Sequence, residues 1–277
     1  MLKPLNSLTI LDNQIYSAYV PNVDQQDELK VRAHVASKDY SDYYKAISKS
    51  HSISVMDLEV KAFLNTVEKD GIILDIGGCW GWHWRFIAEE RPDVKVVIVD
   101  FLKENFIHTH RILGTLIGNQ VFLVHADATS LPFPDHSFSA VWTVQVFQHI
   151  PNFQKACQEA HRVLKANGIF KNYSLNITPV VRIIYSLFGK KYHIAGIPAG
   201  NFFLNRASDE QKQIIIDLFG KTKFRESYSE SFFHPDLKIT FSGRKGNFFG
   251  YLDYYFSKIG ILSKFIARQK SFEAVRK

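Results

Sequence analysis

The chain has 277 residues, 46% hydrophobic and 22% charged, ordinary values for a soluble globular protein with a sizeable core. Its only cysteines, Cys79 and Cys157, exclude a disulfide framework, and no run of about 18 apolar residues occurs to cross a bilayer. With no signal-peptide-like apolar stretch at the N-terminus, these features predict a reducing, cytoplasmic setting.

The net charge of +7 is unevenly spread. Residues 1–159 carry 14 basic and 19 acidic side chains, whereas residues 160–208 carry seven basic and no acidic ones. Residues 209–242 are nearly balanced, and residues 243–277 hold eight basic and two acidic. Confinement of the excess to two segments suggests an anionic partner, against the plainer reading of a solvated basic face.

In chain order, residues 1–55 are polar with scattered aromatics and are expected to form an N-terminal lid or extension. Met56, Val60, Phe63, Leu64 and Val67 then recur at helical spacing. Strands are predicted at 72–76, 95–100, 121–125, 138–144 and 169–174. Helices are predicted between them at about 80–90, 103–114 and 152–165. Such alternation with short connections calls for a parallel sheet covered on both faces. The rhythm breaks over 176–206, an apolar, basic insertion. A helix from Ser208 to about 219 follows, and alternation at 223–229 and 237–242 predicts the two final strands. The core is thus expected over 56–242, with 243–277 as a basic, aromatic C-terminal tail.

The most informative stretch is Ile73-Leu-Asp-Ile-Gly-Gly-Cys-Trp-Gly81, followed by Val96-Val-Ile-Val-Asp100. It reads as strand, glycine turn, helix and a second strand ending on an acid. In a parallel sheet this makes a nucleotide site at the carboxyl ends of the strands. The glycines sit at 77, 78 and 81, so the GxGxxG pattern that seats a pyrophosphate is absent. Asp75, Asp100 and Asp127, each at or beside a strand end, suit hydroxyl and amine donors better than phosphate. As isolated residues they would read as caps and turn formers.

From about residue 56 to 174, and more weakly over 207–242, the chain resembles the class I S-adenosylmethionine-dependent methyltransferases, most closely the type 11 methyltransferase domain family. That resemblance implies an α/β, Rossmann-like, seven-stranded and mostly parallel sheet, with an antiparallel last strand and helices on both faces. It implies S-adenosylmethionine as cofactor, bound by Asp75, Gly77, Gly78, Cys79 and Gly81 of the first turn. Asp100, with Phe101 beside it, would take the ribose hydroxyls. Asp127 and Ala128 would form the adenine-binding turn, and Gln145 would lie near the cofactor. The chain departs from the family at Cys79, where a glycine is usual, and Gly78 is expected to take over the bend.

No catalytic residue is certain from sequence. His149, after the fourth strand, is the first candidate base, and Tyr44, His51 and His83 are the next. Trp80, Trp82 and Trp84 could wall a substrate pocket or pack, and packing is expected for two of them. The chain lacks the Asn/Asp-Pro-Pro-aromatic element of DNA amino-methylating enzymes and the paired glutamates of protein arginine methyltransferases. A small-molecule acceptor is therefore expected, methylated on oxygen or carbon and potentially anionic, a sugar or lipid-linked. The alternatives are a non-catalytic relative that binds cofactor or a partner and, behind it, an RNA methyltransferase; nucleic acid is not the expected partner. Over 248–270, Phe248, Leu252, Tyr255, Phe256, Ile259, Leu262, Phe265 and Ile266 fall near one helical face, with basic residues elsewhere. That pattern fits peripheral membrane contact or a helix docked on the protein.

Overall fold

The computed structural model describes residues 3–11, 14–20, 26, 29–30, 33–34, 51–197, 202–234, 237, 239, 241 and 243–277. The strands are β1 (Thr9–Leu11), β2 (Ile15–Ser17), β3 (Ile72–Ile76), β4 (Lys95–Asp100), β5 (Val121–His125) and β6 (Phe138–Val144). They continue as β7 (Leu164–Leu175), β8 (Ala195–Gly196), β9 (Leu204–Asn205), β10 (Arg225–Ser229) and β11 (Gln269–Val275). Helices are α1 (His51–Leu64), α2 (Ile87–Glu90), α3 (Asn105–Leu113), α4 (Phe153–Val163), α5 (Pro179–Leu187), α6 (Asp209–Phe219), α7 (Gly243–Ser257) and α8 (Gly260–Ile266).

The main sheet has nine strands in the order β1-β2-β5-β4-β3-β6-β7-β11-β10. The inner strands β5, β4, β3, β6 and β7 run parallel, and β11 lies antiparallel to both β7 and β10. β4 reads Lys-Val-Val-Ile-Val-Asp, a nearly continuous apolar run, because parallel strands are buried on both faces. Val97 and Val99 enter one core with Phe138, Phe147 and Phe170, while Val96 and Ile98 enter the other with Phe63, Trp84 and Trp142.

The expected Rossmann-like architecture with an antiparallel last strand holds, and three details differ. First, the sheet has nine strands rather than seven, because residues near the N-terminus add an antiparallel pair. β2 joins β5 in parallel, Ile15 opposite Leu123, so this part of the expected lid extends the sheet edge. Second, the last strand is not 237–242. Among the described residues there, only a bridge between His234 and Ile239 forms. The place is taken by β11, whose Phe272 and Ala274 enter the core. The final residues of the expected tail are therefore a strand inside the sheet. Third, the predicted 80–90 helix is a 3-10 turn, Trp82–Trp84, and the short α2. Gly81, left-handed at φ 69°, interrupts the chain ahead of that turn.

The Asn-Gly pair at 167–168, a combination that commonly ends helices, has another role here. α4 ends at Val163 where Leu164 turns extended, and Asn167, at φ 61°, makes an irregularity within β7. Its N–H donates to the Arg276 carbonyl, while the Arg276 N–H donates to that of Gly168, each at 2.9 Å, so the irregularity clasps the end of β11.

Candidate active site

At the carboxyl ends of β3, β4, β5 and β6 lies a cleft of about 240 Å³. It is lined by Ile76, Gly77 and Cys79 of the first turn and by Val99, Asp100, Phe101 and Asn105 from the second. Ala126, Asp127 and Ala128 close it from β5, and Val144, Gln145, Val146, His149 and Ile150 from β6. Among the described residues, no lysine or arginine lines it.

The glycine turn is built by steric exclusion. Gly77 has φ 71°, and a Cβ there would lie 2.3 Å from a methyl of Val146. Its N–H donates to the Val99 carbonyl at 2.7 Å, which draws the turn onto β4. Gly78 has no room for a side chain, since a Cβ would lie 2.2 Å from Oδ2 of Asp75. The bend has not moved to Gly78, however. Cys79 itself adopts the left-handed conformation, at φ 50°, which for a residue with a Cβ costs about 1–2 kcal/mol. Its backbone is held on both sides. The N–H donates to Asp100 Oδ2 at 3.1 Å, and the carbonyl accepts from the Thr109 hydroxyl at 2.9 Å.

Asp100 is buried and also accepts the Leu102 N–H, at 2.8 Å on Oδ1. Its carboxylate thus organises two loops and faces the cleft. Asp127, also buried, accepts from Thr129 N–H at 2.8 Å within its own turn. Gln145 has φ 57°, with its N–H on the Tyr173 carbonyl at 2.7 Å. A non-glycine residue in that region at a strand end is the kind of local strain that clusters at functional sites.

Of the residues expected around the cofactor, Gly77, Cys79, Asp100, Phe101, Asp127, Ala128 and Gln145 line the cleft. Asp75, Gly78 and Gly81 lie behind the turn and shape it. Asp75 is buried and accepts the Trp84 indole N–H at 2.6 Å. Burial, reinforced by the nearby charge of Asp100 and opposed by that hydrogen bond, pushes its carboxyl up to about 7. Asn105 was missed from sequence. It stands in the first turn of α3, five positions after Asp100, and only the fold of the intervening loop brings it to the cleft.

Of the candidate bases His149 and His83, whose side chains are described, His149 reaches the cleft. Its Nδ1 lies 2.8 Å from the Phe203 carbonyl, which can only accept, so Nδ1 carries the proton. Nε2 lies 3.0 Å from Gln148 Nε2, whose amide is oriented by Leu175 N–H donating to Gln148 Oε1 at 2.7 Å. The imidazole lone pair is therefore engaged by an amide donor, which argues against a ready base. His83 is instead half-buried on the other face of the sheet, where Nδ1 accepts the Trp142 indole N–H at 3.2 Å. Burial, with the charge of Arg85 nearby, pushes it down to about 4. His51 begins α1, and Tyr44 lies outside the described residues. None of the three tryptophans lines the cleft: Trp80 packs tilted against His108, Arg85 covers Trp82, and Trp84 holds Asp75.

This donor set suits a ligand with hydroxyls, an amine and a flat base. It offers two carboxylates at adjacent strand ends and a backbone cradle at Gly77, and among the described residues no cation for a phosphate. Residues 74–171 match the family described as "Methyltransferase domain". A demethylmenaquinone methyltransferase of Staphylococcus epidermidis is 29% identical over 167 residues, covering 58% of this chain and 68% of that protein. A ubiquinone/menaquinone biosynthesis C-methyltransferase of Hahella chejuensis is 28% identical over 132 residues, covering 44% of this chain and 53% of the other. Among solved structures, a possible histamine N-methyltransferase of Thermotoga maritima shares the fold, with a TM-score of 0.56 at 15% identity. That match covers 90% of this chain and 99% of the other. Residues 74–171 thus carry a methyltransferase domain, on a chain similar over a longer stretch to S-adenosylmethionine-dependent methyltransferases. It is an enzyme of that class, and S-adenosylmethionine is its cofactor.

Proposed function

We propose that this enzyme methylates carbon or oxygen of an apolar, lipid-linked small molecule, working at the periphery of a membrane. The observation that carries this reading is the division of the cleft. Its carboxylates sit on one side, and on the β6 side Val144, Val146 and Ile150 give an apolar surface beside Gln145 and His149, with no lysine or arginine among the described lining residues for an anionic sugar. The named activities of the Staphylococcus and Hahella relatives, on quinones, support an acceptor of that kind.

Asp100 would take the ribose hydroxyls, Asp127 the adenine amine, and the Gly77–Cys79 backbone the amino-acid end. When bound, the cofactor supplies an electrophilic methyl on a sulfonium. The residues of this chain align the acceptor and exclude water, which is where such a protein contributes to rate. His149 positions the 202–203 segment over the cleft, with Phe202 edge-on to its ring at 5.2 Å.

Incubating the purified enzyme with methyl-labelled cofactor and a lipid extract should move label into the organic phase. Asp100→Asn, which keeps the shape and removes the charge, should weaken cofactor binding at least tenfold by calorimetry, about 1.4 kcal/mol. Label appearing only in water-soluble products would overturn the acceptor assignment. Binding with no transfer to any extract would favour the non-catalytic relative.

A further inference from the structure

Resting on that reading, we propose that α5 and α8 form a docking face for an anionic lipid surface, which delivers the acceptor to the cleft from the bilayer. The two helices pack side by side. The Asn176 amide donates to the carbonyls of Lys264 and Ala267 at 3.2 and 3.0 Å, and the Thr178 hydroxyl to that of Ala267 at 3.2 Å. The start of α5 is thereby pinned to the end of α8. The Ser231 hydroxyl, within 2.8 Å of Ser257 and 3.4 Å of Ser263, ties α8 and the end of α7 to the body of the protein.

This anchored pair turns large apolar side chains outward. Leu187 is 79% exposed, Phe188 75%, Ile183 61% and Ile261 82%, with Leu262 and Phe265 about half exposed. Isolated exposed leucines are ordinary, but a cluster of this size on two packed helices marks an interaction surface. Charge identifies the occupant. Arg182, Lys190, Lys191 and Lys264 are exposed around the cluster. No acidic residue occurs in α5 or α8, and the single acid of α7, Asp253, is buried and accepts the Ser231 and Phe232 N–H groups. Apolar side chains accompanied, on α5, α8 and the turn after α5, by cations and no acids match the interface of an anionic bilayer, where acyl chains and headgroups supply both complements.

Position supplies the second argument. α5 follows the carboxyl end of β7, and α8 leads into β11 at Gln269, which pairs with Leu175 at that same end. The face therefore lies along the edge of the sheet on which the cleft opens. The segment after α5 reaches the cleft wall at His149 through Phe203. An acceptor dissolved in the bilayer would meet this edge without crossing water.

The test is sedimentation of the full chain with vesicles of phosphatidylcholine containing about a third phosphatidylglycerol, compared with pure phosphatidylcholine. Binding should require the anionic lipid and weaken as salt is raised, since the charge contribution is screened. The double variant Leu187→Glu, Ile261→Glu alters two fully solvated side chains. It should lower vesicle partition at least tenfold and leave calorimetric cofactor affinity unchanged. Wild-type protein that stays in the supernatant at low salt overturns the docking face, as does a variant that partitions like wild type. A concentration-dependent dimer broken by the same variant would assign the face to a second copy and also overturn it. Cofactor affinity is read separately, so loss of the methyl-transfer reading shows as absent cofactor binding, whatever the vesicles do.

Discussion

Two titratable side chains, the buried Asp75 and the half-buried His83, make opposite demands on pH. Asp75 is pushed up to about 7 in the folded chain, so its contribution is full below the unfolded value near 4 and is lost as pH rises through 7. His83 is pushed down to about 4, so its contribution is present above about 6.5 and is lost as pH falls through 4. Between those limits the two slopes oppose each other. We expect Asp75→Asn, which keeps an acceptor for the Trp84 indole, to leave a protein that weakens on acidification from pH 7 to 4. His83→Gln should leave one that strengthens over the same range. Urea midpoints across pH decide the matter, and parallel curves for the two variants would refute the assignment. The turn gives a further expectation. Cys79→Gly removes a left-handed Cβ and should stabilise by up to about 1 kcal/mol after the added chain entropy of glycine. Gly78→Ala, which drives a methyl into the Asp75 carboxylate, should instead lower the melting temperature and cofactor affinity together. For His149, whose two nitrogens are both engaged, His149→Asn should raise KM for the acceptor and leave the pH profile of kcat unchanged.

At the scale of elements, the C-terminal segment is fastened at both ends. β11 pairs along β7 from Gln269 to Val275 and along β10 from Gln269 to Glu273. Ahead of it, α7 packs on α1, and the Lys258 ammonium reaches the buried Glu59 carboxylate. Glu59 also accepts from the Tyr173 hydroxyl at 2.6 Å, joining α1, β7 and the end of α7. Removing one member of such a group leaves a buried charge without its partner, at roughly 3–5 kcal/mol. Lys258→Met should accordingly destabilise toward that range, although Lys171 remains 3.9 Å from Glu59 and softens the loss. Deleting residues 267–277 should abolish cooperative unfolding, because an interior strand is lost and two neighbours gain open edges. A truncated chain that still melts sharply would show that β10 can pair directly with β7.

For the whole molecule, the sheet gathers the cleft and the exposed apolar edge on one side. Ligand that binds only the folded state stabilises it by mass action, about 2.7 kcal/mol at a hundredfold excess over Kd. Saturating S-adenosylmethionine should therefore raise the melting temperature by several degrees, and NAD should not, because among the described residues no cation in the cleft lining meets its phosphates. An equal shift with NAD would contradict the donor set described here.

The strand–turn–strand pattern at 73–100, the acids at 100 and 127 and the alternation of five strands with helices were readable from the chain. Each is local: apolar runs define buried strands, and glycines mark where no Cβ fits. Seven of the ten expected cofactor-binding residues reach the cleft for that reason. What tertiary structure decided was non-local. Asp75 and Asp100 look alike in sequence, yet one is sealed behind the turn by Trp84 and the other faces the cleft, which depends on the path of a loop. β11 lies forty residues beyond β10, across two helices, and its short alternation carries no signal until β7 and β10 stand on either side. The basic, aromatic segment before it read as a single amphipathic face. Packing decided its partners: Asp253 is buried and the Lys258 ammonium reaches Glu59, while Phe248, Leu252 and Tyr255 of α7 stay exposed along with Ile261, Leu262 and Phe265 of α8.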